Sequence, residues 1–183
     1  LMTIDKNDCV VTTYRDHGHM IARGLEPKKI MAELTGKITG YSKGKGGSMH
    51  MFSKENNFYG GHGIVGAQVP IGTGVAFALK YQKEKNICRT YIGDGAMNNG
   101  QVFESFNLAS LWKLPVLYII ENNQYGMGTS VNRAAAGSDL FKRAKPFGIP
   151  GEKVDGMNVF KVIEAANKAG KYVRDSKGPY ILE

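Results

Sequence analysis

Residues 87–123 read ICRTYIGDGAMNNGQVFESFNLASLWKLPVLYIIENN. A short apolar run, Ile87 to Ile92, ends at Gly93-Asp94-Gly95-Ala96. A second, Pro115 to Ile120, ends at Glu121-Asn122-Asn123. Between them, Asn99 to Lys113 carries Val102, Phe103, Phe106 and Ala109 at helical spacing. Strand, helix, strand is a βαβ unit, and its right-handed crossover makes the two strands parallel. Both strands then deliver their carbonyl ends to one edge of the sheet, where open α/β folds bind ligands. A carboxylate and a carboxamide meeting there, beside glycines that let backbone approach, suit Mg²⁺ held together with a phosphorylated cofactor.

Outward from this unit the chain keeps the same grammar. Cys9 to Tyr14 is β-prone. Pro27 to Leu34 reads as a short helix, with proline in its first turn and Gly36 as its stop. Gly36 to Gly63 reads as one long loop, rich in Gly, Lys, Ser and Asn, of the kind that is functional or disordered. Gln68 to Lys83 is a helix whose small residues (Gly72, Gly74, Ala76, Ala78) allow close packing. Asn123 to Pro150 is a second irregular segment. Val154 ends a short strand before the Asp155-Gly156 turn. Asn158 to Arg174 is amphipathic through Val159, Val162, Ile163, Ala166 and Val173. Pro179 to Leu182 is a last strand. The fold class expected is α/β, a parallel sheet flanked by helices, in one domain over residues 1–183.

Composition narrows the function. Glycine accounts for 24 of 183 residues, about twice its usual share, and most glycines fall between apolar runs, as where backbone wraps a ligand. The 24 Lys+Arg against 16 Asp+Glu give a net charge of +8. That suits an anionic ligand, but the basic residues are scattered. The densest cluster, Lys142-Arg143-Ala144-Lys145, reads as a solvated surface rather than a nucleic-acid patch. Cys9 and Cys88 lack metal-ligand spacing and read as reduced thiols inside a cell. No apolar stretch approaches the ~20 residues of a membrane span. No signal peptide is visible, and a chain opening on Leu1-Met2 is expected to lack its natural N-terminus.

A lone Gly-Asp-Gly would read as a helix cap, and a lone Asn-Asn as a turn. Paired across one crossover they favour the metal. The pair is similar to the thiamin diphosphate motif. Four further stretches extend the likeness: Tyr14-Arg15-Asp16-His17-Gly18, Lys43-Gly44-Lys45-Gly46-Gly47-Ser48-Met49-His50-Met51, Gly63-Ile64-Val65-Gly66-Ala67-Gln68-Val69-Pro70, and Glu121-Asn122-Asn123-Gln124-Tyr125-Gly126-Met127-Gly128-Thr129-Ser130. Together they resemble the alpha subunits of the thiamin diphosphate-dependent 2-oxo acid dehydrogenases, the pyruvate (acetyl-transferring) branch above all. Branched-chain 2-oxo acid and acetoin dehydrogenase alpha subunits are the alternative.

The resemblance implies a thiamin diphosphate-binding fold and a set of roles. Asp94, the Asn123 side chain and the Tyr125 carbonyl would bind Mg²⁺. Gly95 and Ala96 would bring backbone to the diphosphate at a helix start, which favours negative charge. Tyr14 and Arg15 would reach the cofactor, the Arg15 guanidinium on phosphate oxygens. Gly63 and Val65 would contact the aminopyrimidine half. Arg15 reads equally as a surface ion-pair partner, and Val65 equally as core. The activity implied is oxidative decarboxylation of pyruvate with acetyl transfer to the lipoyl domain of a dihydrolipoamide acetyltransferase. The proton-relaying glutamate would come from a beta subunit in an alpha2-beta2 heterotetramer, so no catalytic residue is assigned to this chain, which would be inactive alone. The implied location is the cytoplasm of a bacterium, or else the mitochondrial matrix, with neither nucleic acid nor membrane as partner.

The departures are specific. Alpha subunits of this kind are much longer, so the chain is expected to be a piece of one. Asn98-Asn99-Gly100 replaces the commoner Asn-Gln-Gly. The Lys43 to His50 segment lacks P-loop spacing. His50 is a candidate for the site or a plain loop histidine, and His62 reads as peripheral. Ser53 matches a substrate-side position, with two extra residues before Gly63. Ser130 matches a serine phosphorylated in mitochondrial relatives, and reads here as an unmodified loop serine.

Overall fold

The computed structural model describes residues 2–183. Its strands are β1 (Cys9–Thr13), β2 (Phe58–His62), β3 (Cys88–Gly93), β4 (Val116–Glu121), β5 (Tyr125–Gly126), β6 (Thr129–Ser130), β7 (Gly151–Glu152) and β8 (Tyr180–Leu182). Its helices are α1 (His17–Ala22), α2 (Pro27–Leu34), α3 (Gln68–Tyr81), α4 (Gly100–Leu111), α5 (Val131–Ala134) and α6 (Val159–Arg174). Six strands form one parallel sheet in the order β2-β1-β3-β4-β8-β7, and β5 pairs antiparallel with β6 outside it. This is the α/β architecture expected. No helix among the described residues is long and apolar enough to cross a membrane.

The strands are apolar on both faces because both are covered. Val116, Tyr118 and Ile120 join Cys9, Val11, Cys88 and Ile92 in one core under α3 and α4. Leu117 turns to the other face, against Ala165, Ala169 and Val173 of α6, and Val10 and Tyr91 meet Met20, Ile30 and Phe58 there. The alternation is the two-residue period of a strand. Gly72 lets α3 settle on β3, for a Cβ there would stand 2.0 Å from the Thr90 hydroxyl oxygen. Thr73, beside it, exchanges a 2.7 Å hydrogen bond with the Tyr118 hydroxyl. Gly74, by contrast, faces open space.

At the edge where β1 and β3 begin, the buried Asp8 carboxylate accepts both terminal nitrogens of Arg174, at 2.9 and 2.6 Å, and the Ile87 amide at 3.1 Å. Arg89, also buried, lies 3.9 Å from Asp8 through Nε and donates to the Thr3 hydroxyl. This network ties the first residues and the end of α6 to the base of the sheet.

Three expectations need correction. The Gly36–Gly63 loop contains β2, an edge strand pairing with β1 from Val10↔Phe58 to Thr13↔His62 across an irregular register. Asn123 to Pro150 is not structureless, since it holds the β5–β6 hairpin, α5 and a 3-10 helix over Leu140–Phe147. The short strand expected to end at Val154 ends at Glu152, and the Val154 amide donates instead to the Glu183 carbonyl.

The glycine-rich stretch before β2 is shaped by an internal anion. The buried Glu33 carboxylate accepts four amides, from Ser42 (2.8 Å), Gly44 (2.8 Å), Gly46 (2.6 Å) and Gly47 (3.2 Å). Burial raises the Glu33 carboxyl, but those four donors outweigh it and hold it below its ordinary value. Lys43 (φ 57), Gly44 (φ 76) and Gly47 (φ 57) adopt the left-handed backbone that aims successive amides at one point.

Candidate functional site

β1 connects to β2 on one side, while β3 leads to β4 and β8 on the other. The crevice beyond the carbonyl ends of β1 and β3 is therefore a topological switch point, where open α/β sheets bind ligands. A cleft of about 300 Å³ opens there. Thr13 ends β1 and Tyr14 and Arg15 follow it, Gly93 ends β3 and Asp94 to Ala96 follow, and Glu121 ends β4, with Asn123, Tyr125, Gly126 and Met127 beyond it. His62, Val65, Gly66 and Gln68 complete the wall.

Eight of the nine residues singled out from sequence stand on this wall: Tyr14, Arg15, Val65, Asp94, Gly95, Ala96, Asn123 and Tyr125. Gly63 does not; it packs against His50, whose Nε2 would lie 3.0 Å from a Cβ there. His50 is likewise off the wall. His62, read as peripheral, is on it, because the unforeseen β2 carries it to the sheet edge. Its Nε2 bonds the Tyr59 carbonyl at 3.1 Å. Ser53 is buried away from the cleft, accepting from Asn56 at 2.8 Å. Ser130 sits in the hairpin opposite Tyr125.

Asp94 opens a single 3-10 turn, Gly95–Asn98, and its side chain makes no capping bond. It is 4% exposed, and its Oδ2 has no hydrogen-bond partner among the described residues. A buried carboxylate oxygen left bare is costly, so the helix-cap reading fails and a cation is the natural partner. Asn123 Oδ1 accepts the Tyr125 amide at 3.0 Å. Its second lone pair stays available, so the turn reading and a ligand role coexist. No group of three His, Cys, Asp or Glu side chains able to hold a metal exists among the described residues. One carboxylate, one carboxamide and a backbone carbonyl are hard oxygen donors and too few for an octahedron. They fit Mg²⁺ only if a bound ligand or water supplies the rest.

Neighbours fix the two turns. Gly95 and Gly126 meet back to back, a Cβ on either standing 3.5 Å from the other's Cα. Arg143 donates to the Met97 carbonyl (3.1 Å) and to Asn98 Oδ1 (2.9 Å). The basic cluster is thus only partly a solvated surface: Lys142 pairs with Asp139 at 2.6 Å, while Arg143 braces the turn after β3. Asn99 Nδ2 donates to the Val65 carbonyl at 3.0 Å, so the Asn98-Asn99-Gly100 departure ties α4 to the cleft's lip.

Desolvation raises the Glu121 carboxyl above the usual range, against the pull of the Arg15 guanidinium. Its Oε1 lies 3.6 Å from His19 Nε2, whose own pKa burial lowers. Asp16 is fully buried with both carboxylate oxygens bare among the described residues, and burial pushes it up to about 6. Gln68 Oε1, on the cleft wall, is also buried without a partner. Gln68 and Glu121 were both inside quoted stretches, but neither residue type signals a cleft position by itself.

Known proteins share this arrangement of sequence. The sequence model of the dehydrogenase E1 component family matches residues 1–183. The pyruvate dehydrogenase E1 component subunit alpha of Rhizobium meliloti is 60% identical over 182 residues, which cover 100% of this chain and 52% of that one. The Rickettsia felis protein of the same name is 59% identical over 97% of this chain and 55% of its own length. The mitochondrial one of Dictyostelium discoideum is 58% identical over 98% and 47%. The chain spans about half the length of the curated relatives it matches. In fold it is similar to a protein from Mycobacterium smegmatis assigned as a thiamin diphosphate-dependent enzyme, with a TM-score of 0.60 at 18% identity, covering 98% of this chain and 28% of that one. With the family's sequence model matched from the first residue to the last, this chain belongs to the dehydrogenase E1 components.

Proposed function

We propose that this chain is the cofactor-holding part of a pyruvate dehydrogenase alpha subunit. With a beta subunit it would carry out the thiamin diphosphate- and Mg²⁺-dependent oxidative decarboxylation of pyruvate, with acetyl transfer to the lipoyl group of a partner acyltransferase. The observation that carries the reading is the convergence of Asp94, with its bare buried oxygen, and Asn123 on one cleft at the switch point. The names of relatives at 57–60% identity support pyruvate as the substrate.

Asp94 and Asn123 hold the cation with the Tyr125 carbonyl. Gly95 and Ala96 would bring backbone to a diphosphate, and Tyr14 and Arg15 would reach it from the end of β1. The Arg15 guanidinium carbon lies 5.8 Å from the Tyr14 ring centroid, within cation–π range. Val65 would serve the aminopyrimidine half from the lip, where it is 52% exposed; Gly63, beside His50 and off the wall, would act only through the backbone that leads to it. The cofactor, when bound, supplies an electron sink for the pair left by departing carbon dioxide. The protein's part is to grip, orient and exclude water.

The beta subunit is supported by what this chain leaves uncovered. The outer side of α3 shows Ile71, Phe77 and Tyr81 at 39%, 46% and 79% exposure, with Gly74 and Ala78 between them and Lys80 at the margin, its ammonium on the Trp112 carbonyl. Leu111 and Trp112 continue the patch. A helix apolar on its outer as well as its inner side belongs inside an assembly. A bacterial cytoplasm or a mitochondrial matrix suits the two free, buried thiols, Cys9 and Cys88.

Two measurements address this reading. Steady-state kinetics of the full-length alpha subunit reconstituted with its beta partner should favour pyruvate over 2-oxoisovalerate and acetoin by about tenfold or more in kcat/KM, the scale on which a pocket separates alkyl groups. A preference for either of the others would assign a different branch. Arg15→Ala should weaken thiamin diphosphate binding by about 1.5–3 kcal/mol, as for a hydrogen bond to a charged group. Calorimetric titration in the presence of Mg²⁺ reads this directly, and an unchanged dissociation constant would count against the phosphate role.

A further inference from the structure

Asn122 and Asn123 are adjacent, yet only Asn123 lines the cleft. Asn122 turns away from it. Its Oδ1 accepts the Gln124 amide at 3.0 Å and its Nδ2 donates to Glu183 Oε1 at 2.8 Å. The Asn122 amide is therefore fixed at both ends, and its orientation sets where the turn after β4 begins.

Glu183 is built to hold it. Its side chain is 1% exposed. Oε2 accepts the Phe141 amide at 3.0 Å, at the start of the 3-10 helix, and Oε1 lies 3.1 Å from Lys153 Nζ. Its backbone is pinned on both sides, its amide donating to the Glu152 carbonyl (2.9 Å) and its carbonyl accepting the Val154 amide (2.8 Å). A buried carboxylate this well satisfied is rigid, and its one contact toward the cleft is Asn122. Beyond Asn122 the chain is strained. Gln124 (φ 72) and Met127 (φ 55) both adopt the left-handed backbone uncommon for such residues. A turn of that kind persists only where its surroundings over-determine it.

We propose that Glu183 is a positioning residue for the cation site. Its carboxylate locks the Asn122 amide, and through it the turn that presents Asn123 and Tyr125. This rests on the Mg²⁺ reading above. It assigns the two asparagines different work: the first fastens the turn, the second faces the ion. Partners of this outer kind, when removed, typically weaken metal binding by about 10–100-fold.

The test is a double-mutant cycle in the full-length alpha–beta assembly. Mg²⁺ is titrated calorimetrically in the presence of thiamin diphosphate, with turnover measured alongside. Glu183→Ala and Asn122→Ala should each raise the Mg²⁺ dissociation constant about tenfold or more. At saturating Mg²⁺ kcat should return to within about twofold of wild type, because an outer partner shapes binding rather than chemistry. The double variant should be no weaker than either single one, since both remove the same link. Should Glu183→Ala fail to fold, Glu183→Gln keeps the shape but sets an NH₂ donor against either the Asn122 and Lys153 donors or the Phe141 amide, and is expected to weaken binding about threefold or more. Additive losses in the double variant would overturn the proposal, as would a wild-type Mg²⁺ constant in a Glu183 variant whose thermal midpoint alone has fallen. Wild-type protein that binds thiamin diphosphate without Mg²⁺ would remove this inference together with the reading beneath it; Mg²⁺-dependent wild type with Glu183 variants of unchanged Mg²⁺ dissociation constant would remove this inference alone.

Discussion

Replacing Asp94 by alanine should abolish cofactor-dependent turnover in the assembled enzyme, by at least about a hundredfold at limiting Mg²⁺, exceeding the loss seen when an outer partner of a metal ligand is removed. Asp94 supplies the one carboxylate of the proposed ligand set. With it gone, a neutral carboxamide and a backbone carbonyl must hold a doubly charged ion that dehydrates reluctantly. Asp94→Asn is the sharper variant, because it preserves shape and removes the charge. Its cofactor-free form should unfold at or above the wild-type temperature, since the carboxylate it replaces is buried with one oxygen unpartnered among the described residues. Activity falling while stability holds is the signature of a residue kept for its ligand. A variant with normal turnover at limiting Mg²⁺, or one that fails only by unfolding, would contradict it.

Asp8→Ala should have the opposite profile. Asp8 and Arg89 are both buried, at 0% and 2% exposure, and Arg174 closes on Asp8 from the end of α6. Removing the carboxylate strands the Arg89 guanidinium in the interior and frees the Ile87 amide. Breaking a buried pair from one side costs about 3–5 kcal/mol, a large fraction of a domain's stability. Chemical denaturation should show that loss as a lower midpoint with an unchanged slope. The network lies at the opposite edge of the sheet from the cleft, so the folded fraction should keep the wild-type dissociation constant for thiamin diphosphate. A loss below about 1 kcal/mol, the scale of a surface pair, would mean the network is better solvated than its geometry implies.

The two predictions separate the ends of the sheet, and the sequence spoke unequally about them. The central βαβ unit was legible because its strands are covered on both faces and its helix keeps one apolar side; Val102, Phe106 and Ala109 all pack as their spacing indicated. β2 was not legible. Its residues, Phe58-Tyr59-Gly60-Gly61-His62, carry two glycines where an alternating pattern would be read. Gly60 has φ +95, and a Cβ on Gly61 would stand 1.9 Å from the buried Asp16 carboxylate. The glycines are there for close packing, and that erases the strand signal. Missing β2 also misplaced His62, since a histidine at a strand end reaches the cleft whereas one in a loop need not.

The glycine-rich loop before β2 misled in another way. Its composition suits an anion cradle, and it is one, but the anion is Glu33 from the preceding helix, which no local pattern announces. Glu183 was invisible for a related reason: its role depends on Asn122, Phe141 and Lys153, each distant along the chain. Asp94 and Asn123 stood out because the crossover brings the ends of two neighbouring strands together by rule.

The most direct test of the central claim is an anomalous difference map from crystals of the full-length alpha–beta assembly grown with thiamin diphosphate and Mn²⁺ in place of Mg²⁺. The account expects one strong peak in the cleft, within coordination distance of an Asp94 carboxylate oxygen, Asn123 Oδ1 and the Tyr125 carbonyl. A peak bound elsewhere, with Asp94 and Asn123 left without the ion, would contradict it.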